Sequence, residues 1–294
     1  MPTTSLYSLR VRAAGYLALT KPRIIELLLV TTVPTMFVAE RGVPSMWLMV
    51  ATVVGGTLAA GGANAINMVI DRDIDEVMER TRHRPLVTGI VNPKGAMVFA
   101  VLLEVVAFVW LVATVNLLSA ALAVSATAFY IFVYTMWLKR TSTSNIVIGG
   151  AAGAVPVLVG WSAVTGSLDW PPVVLFLVVF YWTPPHFWAL AIRYREDYAA
   201  ADLPMLPVVT GPKATATRII YYTTILVTLT VVFSPVANMG AIYLVASLVL
   251  GAVFAVLTLV VRADPGEKNA MRLFHYSITY VTLLFGAMIV DVLV

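Results

Sequence analysis

The chain has no cysteine among its 294 residues, so disulfides and thiolate metal sites are excluded. Charge is scarce too: only 12% of residues are charged, against 60% apolar and a mean hydropathy of +0.91. A soluble chain of this length cannot conceal that much apolar surface, so the bilayer must be its solvent. The apolar stretches lack the alternation of a membrane barrel, which leaves helices as the spanning element. The first twenty residues hold Arg10 and Arg12 but no apolar core or cleavage signal, so no secretory peptide is expected.

Nine apolar segments are long enough to cross at about 20 residues each. They are 22–40, 45–68, 94–115, 117–138, 144–164, 171–192, 217–235, 239–261 and 271–293. The connections between them are short, so a single polytopic domain over 1–294 is expected, with 1–20 as a cytoplasmic N-terminal segment. If the N-terminus is cytoplasmic, 18 of the 19 basic residues fall on the cytoplasmic side and only Arg41 falls outside. Positive-inside asymmetry therefore predicts an all-α bundle of nine transmembrane helices, N-terminus in and C-terminus out, in the inner cell membrane. Most of the basic pI of about 9.3 is then topology signal, and no nucleic-acid partner is needed.

Acids occur where such a protein normally avoids them. Asn67, Asp71 and Asp75 follow directly on the apolar run 47–68, and Arg80, Arg82 and Arg84 come soon after. On a helix each residue turns about 100°, so these three fall on one stripe while Asp73 points to the other side. An amide and two carboxylates beside arginines are what a divalent metal carrying a phosphate group requires.

A second acidic site is expected at the cytoplasmic end of the sixth segment, where Arg193, Arg195, Glu196, Asp197 and Asp202 precede Pro204. The second and sixth segments stand four apart, and each ends in acids mixed with arginine. This reads as a weak internal repeat with a site between its halves. Two such clusters facing one another would hold Mg²⁺ through oxygen ligands, with Arg80, Arg84, Lys139, Arg140, Arg193 and Arg195 at the same level. A metal-clamped diphosphate is a good leaving group, and a greasy tail on it would lie among the helices. The residues point to an enzyme acting on a prenyl diphosphate.

At these positions the chain resembles the UbiA superfamily of intramembrane prenyltransferases, whose first motif is matched by Asn67-x3-Asp71-x3-Asp75 with Arg84-Pro85-Leu86. Further segments are similar to the haem-modifying branch of that superfamily. They are Lys21-Pro22-Arg23; Tyr134-Thr135 through Leu138-Lys139-Arg140-Thr141; Asn145 to Gly150 and on to Gly160-Trp161; Pro185-His186-Phe187-Trp188; and Asp197-Tyr198 with 204–207. The second motif departs from the family pattern, since Asp197 and Asp202 are five apart, with Asp202 past the expected helix end. The resemblance implies nine helices and Mg²⁺ held by Asn67, Asp71, Asp75 and Asp197. It also implies that the basic residues named above hold the diphosphate, and that His186 and Tyr134 face haem. The reaction it implies joins farnesyl diphosphate to a vinyl group of haem b, with water capturing the resulting cation. A downstream haem A synthase or terminal oxidase assembly would receive the product.

Other residues stay open at this level. Thr183-Pro184-Pro185 should kink the sixth helix and free backbone carbonyls. His186, just beyond, would bind haem or be satisfied by those carbonyls. Glu104 lies about 13 Å inside the third segment and must be paired, protonated or facing water. Glu26 is shallower and within reach of Lys21 or Arg23. Tyr134, Trp137, Trp182 and Trp188 suit either an interfacial belt or a cation shield. Gly149, Gly150 and Gly153 suit close helix packing. Rival readings are a relative acting on a quinone precursor or chlorophyllide, and a cation-coupled transporter, which would place its acids near the bilayer midplane.

Overall fold

A computed structural model of the chain describes the backbone of residues 3–294, and the side chains of all of these except 3–8 and 23–29. The expected pairing of Glu26 with Lys21 or Arg23 lies outside the described side chains. The elements are α1 (Thr3–Leu19), α2 (Pro22–Glu40), α3 (Met46–Ile70), α4 (Arg72–Val77), α5 (Pro93–Thr114) and α6 (Leu117–Thr141). They continue with α7 (Asn145–Thr165), α8 (Trp170–Arg193), α9 (Arg195–Ala200), α10 (Leu206–Val209), α11 (Pro212–Val236), α12 (Ala241–Ala263) and α13 (Glu267–Leu293). Among the described residues there is no strand.

Among the described residues, eight helices, α3, α5, α6, α7, α8, α11, α12 and α13, are long and apolar enough to cross a membrane. At 1.5 Å per residue the 25 residues of α3 span about 37 Å, more than the roughly 30 Å hydrocarbon core. Val98, Val101, Val105 and Val109 of α5 are exposed along one flank, as are Val245, Val249, Val253 and Val256 of α12. In water such stripes would be a severe liability. Facing lipid they cost nothing, and the helices keep their small and polar residues for one another.

Consecutive spans pack side by side, and α2 touches both α7 and α13, so the bundle closes on itself. The α2–α7 crossing is close because Gly160 lacks a side chain: a Cβ there would stand 2.5 Å from the Thr32 carbonyl oxygen. Asparagine side chains cap two of the spans. Asn92 accepts from the Lys94 N–H (2.9 Å) ahead of α5, and Asn116 accepts from the Ser119 N–H (2.8 Å) ahead of α6.

Three features add to or differ from the sequence expectation. Residues 3–19 form a helix, α1, whose Tyr16 packs edge-on against Phe99 of α5 (5.1 Å) and whose Leu19 joins one buried cluster with Leu86, Val91 and Ala96. Helix α8 runs unbroken through Pro184 and Pro185. The fourth segment does not stop at 138; it continues to Thr141 with a stretch of π-helix, Phe129–Leu138, inside it.

Candidate active site

Helix α3 stops at Ile70, yet the acid stripe survives the junction. The Asp71 N–H donates to the Asn67 carbonyl and the Asp75 N–H to the Asp71 carbonyl, each at 2.9 Å. The i to i−4 pattern thus carries through Asp71 into the short α4, keeping Asn67, Asp71 and Asp75 on one side, all buried. Asp73 points out to solvent, as the helical spacing predicts.

Each acid meets a cation from elsewhere in the chain. Asn67 Nδ2 donates to Asp71 Oδ2 at 2.7 Å, and Lys139 Nζ pairs with the same oxygen. Arg84 Nη1 reaches both oxygens of Asp75, at 2.7 and 2.6 Å. Arg140 binds Asp73 with both terminal nitrogens, at 2.7 and 2.8 Å, and Nη2 also reaches the Ile70 carbonyl at 3.3 Å. That pairing holds the Asp73 carboxyl down at about 2.

Sequence reasoning left Lys21 out of the site. Its Nζ donates to Asn67 Oδ1 at 3.0 Å, while its backbone sits in the left-handed region at φ 52°. That conformation costs a residue with a side chain about 1 kcal/mol or more, and the strain turns the lysine into the site. Burial, seconded by Arg84 and Lys139, pushes its ammonium down to about 7 against the pull of Asp75 and Asp71. The signals in the sequence were its place beside Pro22 at a helix entry and the likeness of Lys21-Pro22-Arg23 to the family.

Thr135 was also missed. It donates to the Tyr130 carbonyl at 2.8 Å and accepts from Asn67 Nδ2 at 3.1 Å. The π-helical winding sets this register, and such stretches collect at functional sites. Tyr134 stacks on Tyr130 (5.5 Å, 12°) and fills the space over Gly149, where a Cβ would stand 2.3 Å from its ring. Gly149 therefore makes room for Tyr134, and Gly150 for Thr183, as the packing reading held.

The second acidic region copies the first in backbone but not in side chains. Helix α8 ends one residue before the six-residue α9, and Tyr194 and Tyr198 donate to the carbonyls of Leu190 and Tyr194 at 3.2 and 3.1 Å. Counted from the junction, Leu190, Tyr194 and Tyr198 stand where the first repeat has Asn67, Asp71 and Asp75. Asp197 is displaced by one residue and accepts from the Arg80 N–H at 3.3 Å. Asp202 lies beyond α9, exposed, at φ 52°. The Arg80 guanidinium lies 5.3 Å from the Tyr194 ring centre. Arg193 pairs with Glu267 (3.2 Å), and Arg195 makes no ion pair among the described residues. Arg80 therefore ties the two regions together, whereas Arg193 and Arg195 do not join the stripe.

Beneath the stripe lies a cavity of about 220 Å³. Its walls are almost all small or apolar, among them Gly56, Ala59, Ala63, Ala126, Gly153 and Val159, with Asn64 and Tyr130 at the end nearest Asn67. Gly153, unlike its neighbours, has nothing within 4 Å of where a Cβ would be. Thr127 of this wall also donates to Glu104 at 3.2 and 3.3 Å, so that deep carboxyl is paired.

His186 is not satisfied by the carbonyls that Pro184 and Pro185 release. Its Nδ1 pairs with Ser277 Oγ at 2.7 Å, and its ring lies between Trp182 (4.3 Å) and Phe274 (4.6 Å). It belongs to the α8–α13 seam, not to the acid stripe. Trp182 and Trp188 are buried and Trp137 is exposed, so of these three Trp137 alone suits an interfacial belt. His83 and His275 are exposed.

Among the described residues, no three His, Cys, Asp or Glu side chains converge to hold a metal ion. The Asn67–Asp71 pair nevertheless fits a divalent cation, because Asp71 Oδ1 is buried and receives no hydrogen bond. A buried carboxylate oxygen left bare is costly, and it is the hard oxygen ligand that Mg²⁺ takes.

Comparison with known proteins agrees with this geometry. The UbiA prenyltransferase family matches residues 28–278. A protein named protoheme IX farnesyltransferase from Parafrankia sp. (strain EAN1pec) is 55% identical over 280 residues, covering 94% of this chain and 90% of that protein. One of the same name from Frankia casuarinae is 54% identical over 286 residues, covering 96% and 99%. In fold, the chain is similar to a digeranylgeranylglyceryl phosphate synthase structure (TM-score 0.79, 18% identity, covering 96% and 98%). It is also similar to a UbiA homolog from Archaeoglobus fulgidus bound to DMAPP and Mg²⁺ (TM-score 0.71, 18% identity, covering 94% and 99%). By the family match over most of its length and by these relatives, the chain belongs to the UbiA prenyltransferase family.

Proposed function

We propose that this membrane prenyltransferase moves the farnesyl group of farnesyl diphosphate to a vinyl group of haem b, with water adding to the resulting cation and diphosphate leaving. The observation that carries the reading is the contact between a buried acid–cation stripe and an apolar cavity. Asn64 and Tyr130 line the cavity, and Asn67, one turn further along α3, meets Thr135, which itself bonds to the Tyr130 carbonyl. A diphosphate head and a prenyl tail need that pairing of environments. The haem acceptor is taken from the relatives named protoheme IX farnesyltransferase, which are similar over nearly the whole chain.

Asn67, Asp71 and Asp75, with Asp197 from the second repeat, would hold Mg²⁺. When bound there, the ion offsets the charge developing on the departing diphosphate. Arg84 and Lys139 donate to the diphosphate oxygens, giving up the acids they now neutralise, Arg140 donates with its remaining N–H groups while Asp73 holds it, and Arg80 closes from the side of Asp197. Lys21 fixes Asn67 through its Oδ1. The cavity wall keeps water from the allylic carbon until the vinyl group has reacted. His186 and Tyr134 are the residues we assign to haem. His186 already has Nδ1 engaged by Ser277, which leaves Nε2 for a propionate or the iron.

The same reading takes the whole chain as one domain of nine spans, counting α2, with the N-terminus and the active face cytoplasmic and the C-terminus outside. It is supported by Arg41, the one basic residue assigned to the far side, which donates to the Ala237 and Asn238 carbonyls at the end of α11. A downstream haem A synthase or oxidase assembly would take the product.

Purified protein incubated with haem b, farnesyl diphosphate and Mg²⁺ is expected to yield a farnesyl-plus-water adduct of haem by mass spectrometry, lost on adding EDTA. Folded protein that gives no adduct would remove the haem assignment and direct attention to quinone-type acceptors. The cavity has its own test. Gly153→Leu adds a side chain into open space, so it should fill the cavity without disturbing the backbone. Farnesyl transfer should fall on the order of tenfold or more relative to geranyl transfer, as pocket-filling by a few methylenes does. An unchanged ratio of the two rates would place the tail elsewhere.

A further inference from the structure

Asp73 stands outside the stripe and outside the motif, yet it makes the best-formed ion pair at the site. Its two oxygens take both terminal nitrogens of Arg140 end-on, at 2.7 and 2.8 Å, in an otherwise exposed position. The same Arg140 Nη2 stands 3.7 Å from Asp71 Oδ1, the one oxygen of the buried acids that no donor reaches. A charge-assisted hydrogen bond would need that gap to close by about 1 Å. The tether to Asp73, with the second contact to the Ile70 carbonyl at 3.3 Å, prevents the closure.

We propose that Asp73 is a positioning residue that keeps Arg140 off Asp71, so that Asp71 Oδ1 stays open to a divalent cation. The proposal rests on the metal reading given above. It explains why an exposed acid sits between two buried ones: its charge neutralises the guanidinium, and its fork geometry fixes where the guanidinium stops. Without it Arg140 moves onto Asp71, meets the unpaired oxygen and occupies the metal's place with a cation of the chain's own. Lys139 already holds Asp71 Oδ2, so with Oδ1 also taken the carboxylate would have no oxygen to offer.

The test is titration of Mn²⁺ alone into detergent-purified protein, with free Mn²⁺ read by electron paramagnetic resonance. Wild type should bind. Asp73→Asn should bind about tenfold more weakly, the scale on which groups supporting a metal ligand act. Adding Arg140→Gln to Asp73→Asn should return the affinity to within about threefold of wild type, since no guanidinium is left to move. An Asp73→Asn affinity equal to wild type overturns the proposal. So does a double variant as weak as the single one, because Asp73 would then act as a ligand or through the fold. If Asp73→Asn fails gel filtration as a folded species, Arg140→Gln alone decides. Mn²⁺ affinity at or above the wild-type value supports the tether, and a tenfold loss overturns it. Wild type that takes up no Mn²⁺ removes the metal reading itself, an outcome distinct from failure of the tether.

Discussion

Asp71→Asn is expected to lower farnesyl transfer by a factor on the order of 100 to 1,000 while the protein still inserts and folds. Asp71 is 1% exposed and is the acid around which the site is wired. Its Oδ2 takes Asn67 and Lys139, and its Oδ1 takes no hydrogen bond, with Arg140 Nη2 3.7 Å away. An asparagine keeps the shape, and its amide oxygen still accepts from Lys139, so packing has little reason to change. What goes is a full negative charge aimed at the proposed metal position. Removing one preorganised electrostatic contact of this kind costs about 3–4 kcal/mol of transition-state stabilisation, which gives that loss in rate. The measurement is haem adduct formed per minute, with gel filtration as the check on folding. Turnover at the wild-type rate would take Asp71 out of the site and the metal assignment with it.

Arg84→Gln is expected to damage stability as well as turnover. Asp75 is 2% exposed, and both its oxygens are served by the single nitrogen Arg84 Nη1. Removing one partner of a buried pair leaves an uncompensated charge, at a cost of about 3–5 kcal/mol. Lys21 lies close enough to relieve part of that, so the lower end is expected. Thermal unfolding in detergent reads the loss as a fall in midpoint. Combining Arg84→Gln with Asp75→Asn removes both charges and should recover most of the midpoint, yet turnover should stay low because two site groups are gone. A single variant with an unchanged midpoint would mean that Asp75 has another partner.

How far the site was legible depended on distance along the chain. The stripe Asn67, Asp71 and Asp75 could be read because four-residue spacing on a helix fixes a common face, and the backbone bonds through Asp71 carry that face across the helix end. Which cation meets which group could not be read, because Lys139 reaches Asp71 from 68 residues away, Arg140 reaches Asp73 from 67 and Lys21 reaches Asn67 from 46. The side-chain register of the second acidic region was hidden for a related reason. Its letters imitate the first motif, but its junction puts Tyr194 and Tyr198 where the first has aspartates. His186 drew attention as a polar residue behind two prolines, and its actual partner, Ser277, lies 91 residues further on.

By itself the sequence determined the membrane, since 60% apolar residues in runs of about twenty admit no other solvent. It also determined the helical class and the face that carries the acids, because hydropathy and helical period are local properties. Only the tertiary structure decided that a strained Lys21 turns inward, that a π-helix brings Thr135 to Asn67, and that Arg140 stops short of Asp71. Those are contacts between helices, set by how side chains pack once the bundle closes, and no local pattern in the chain records them.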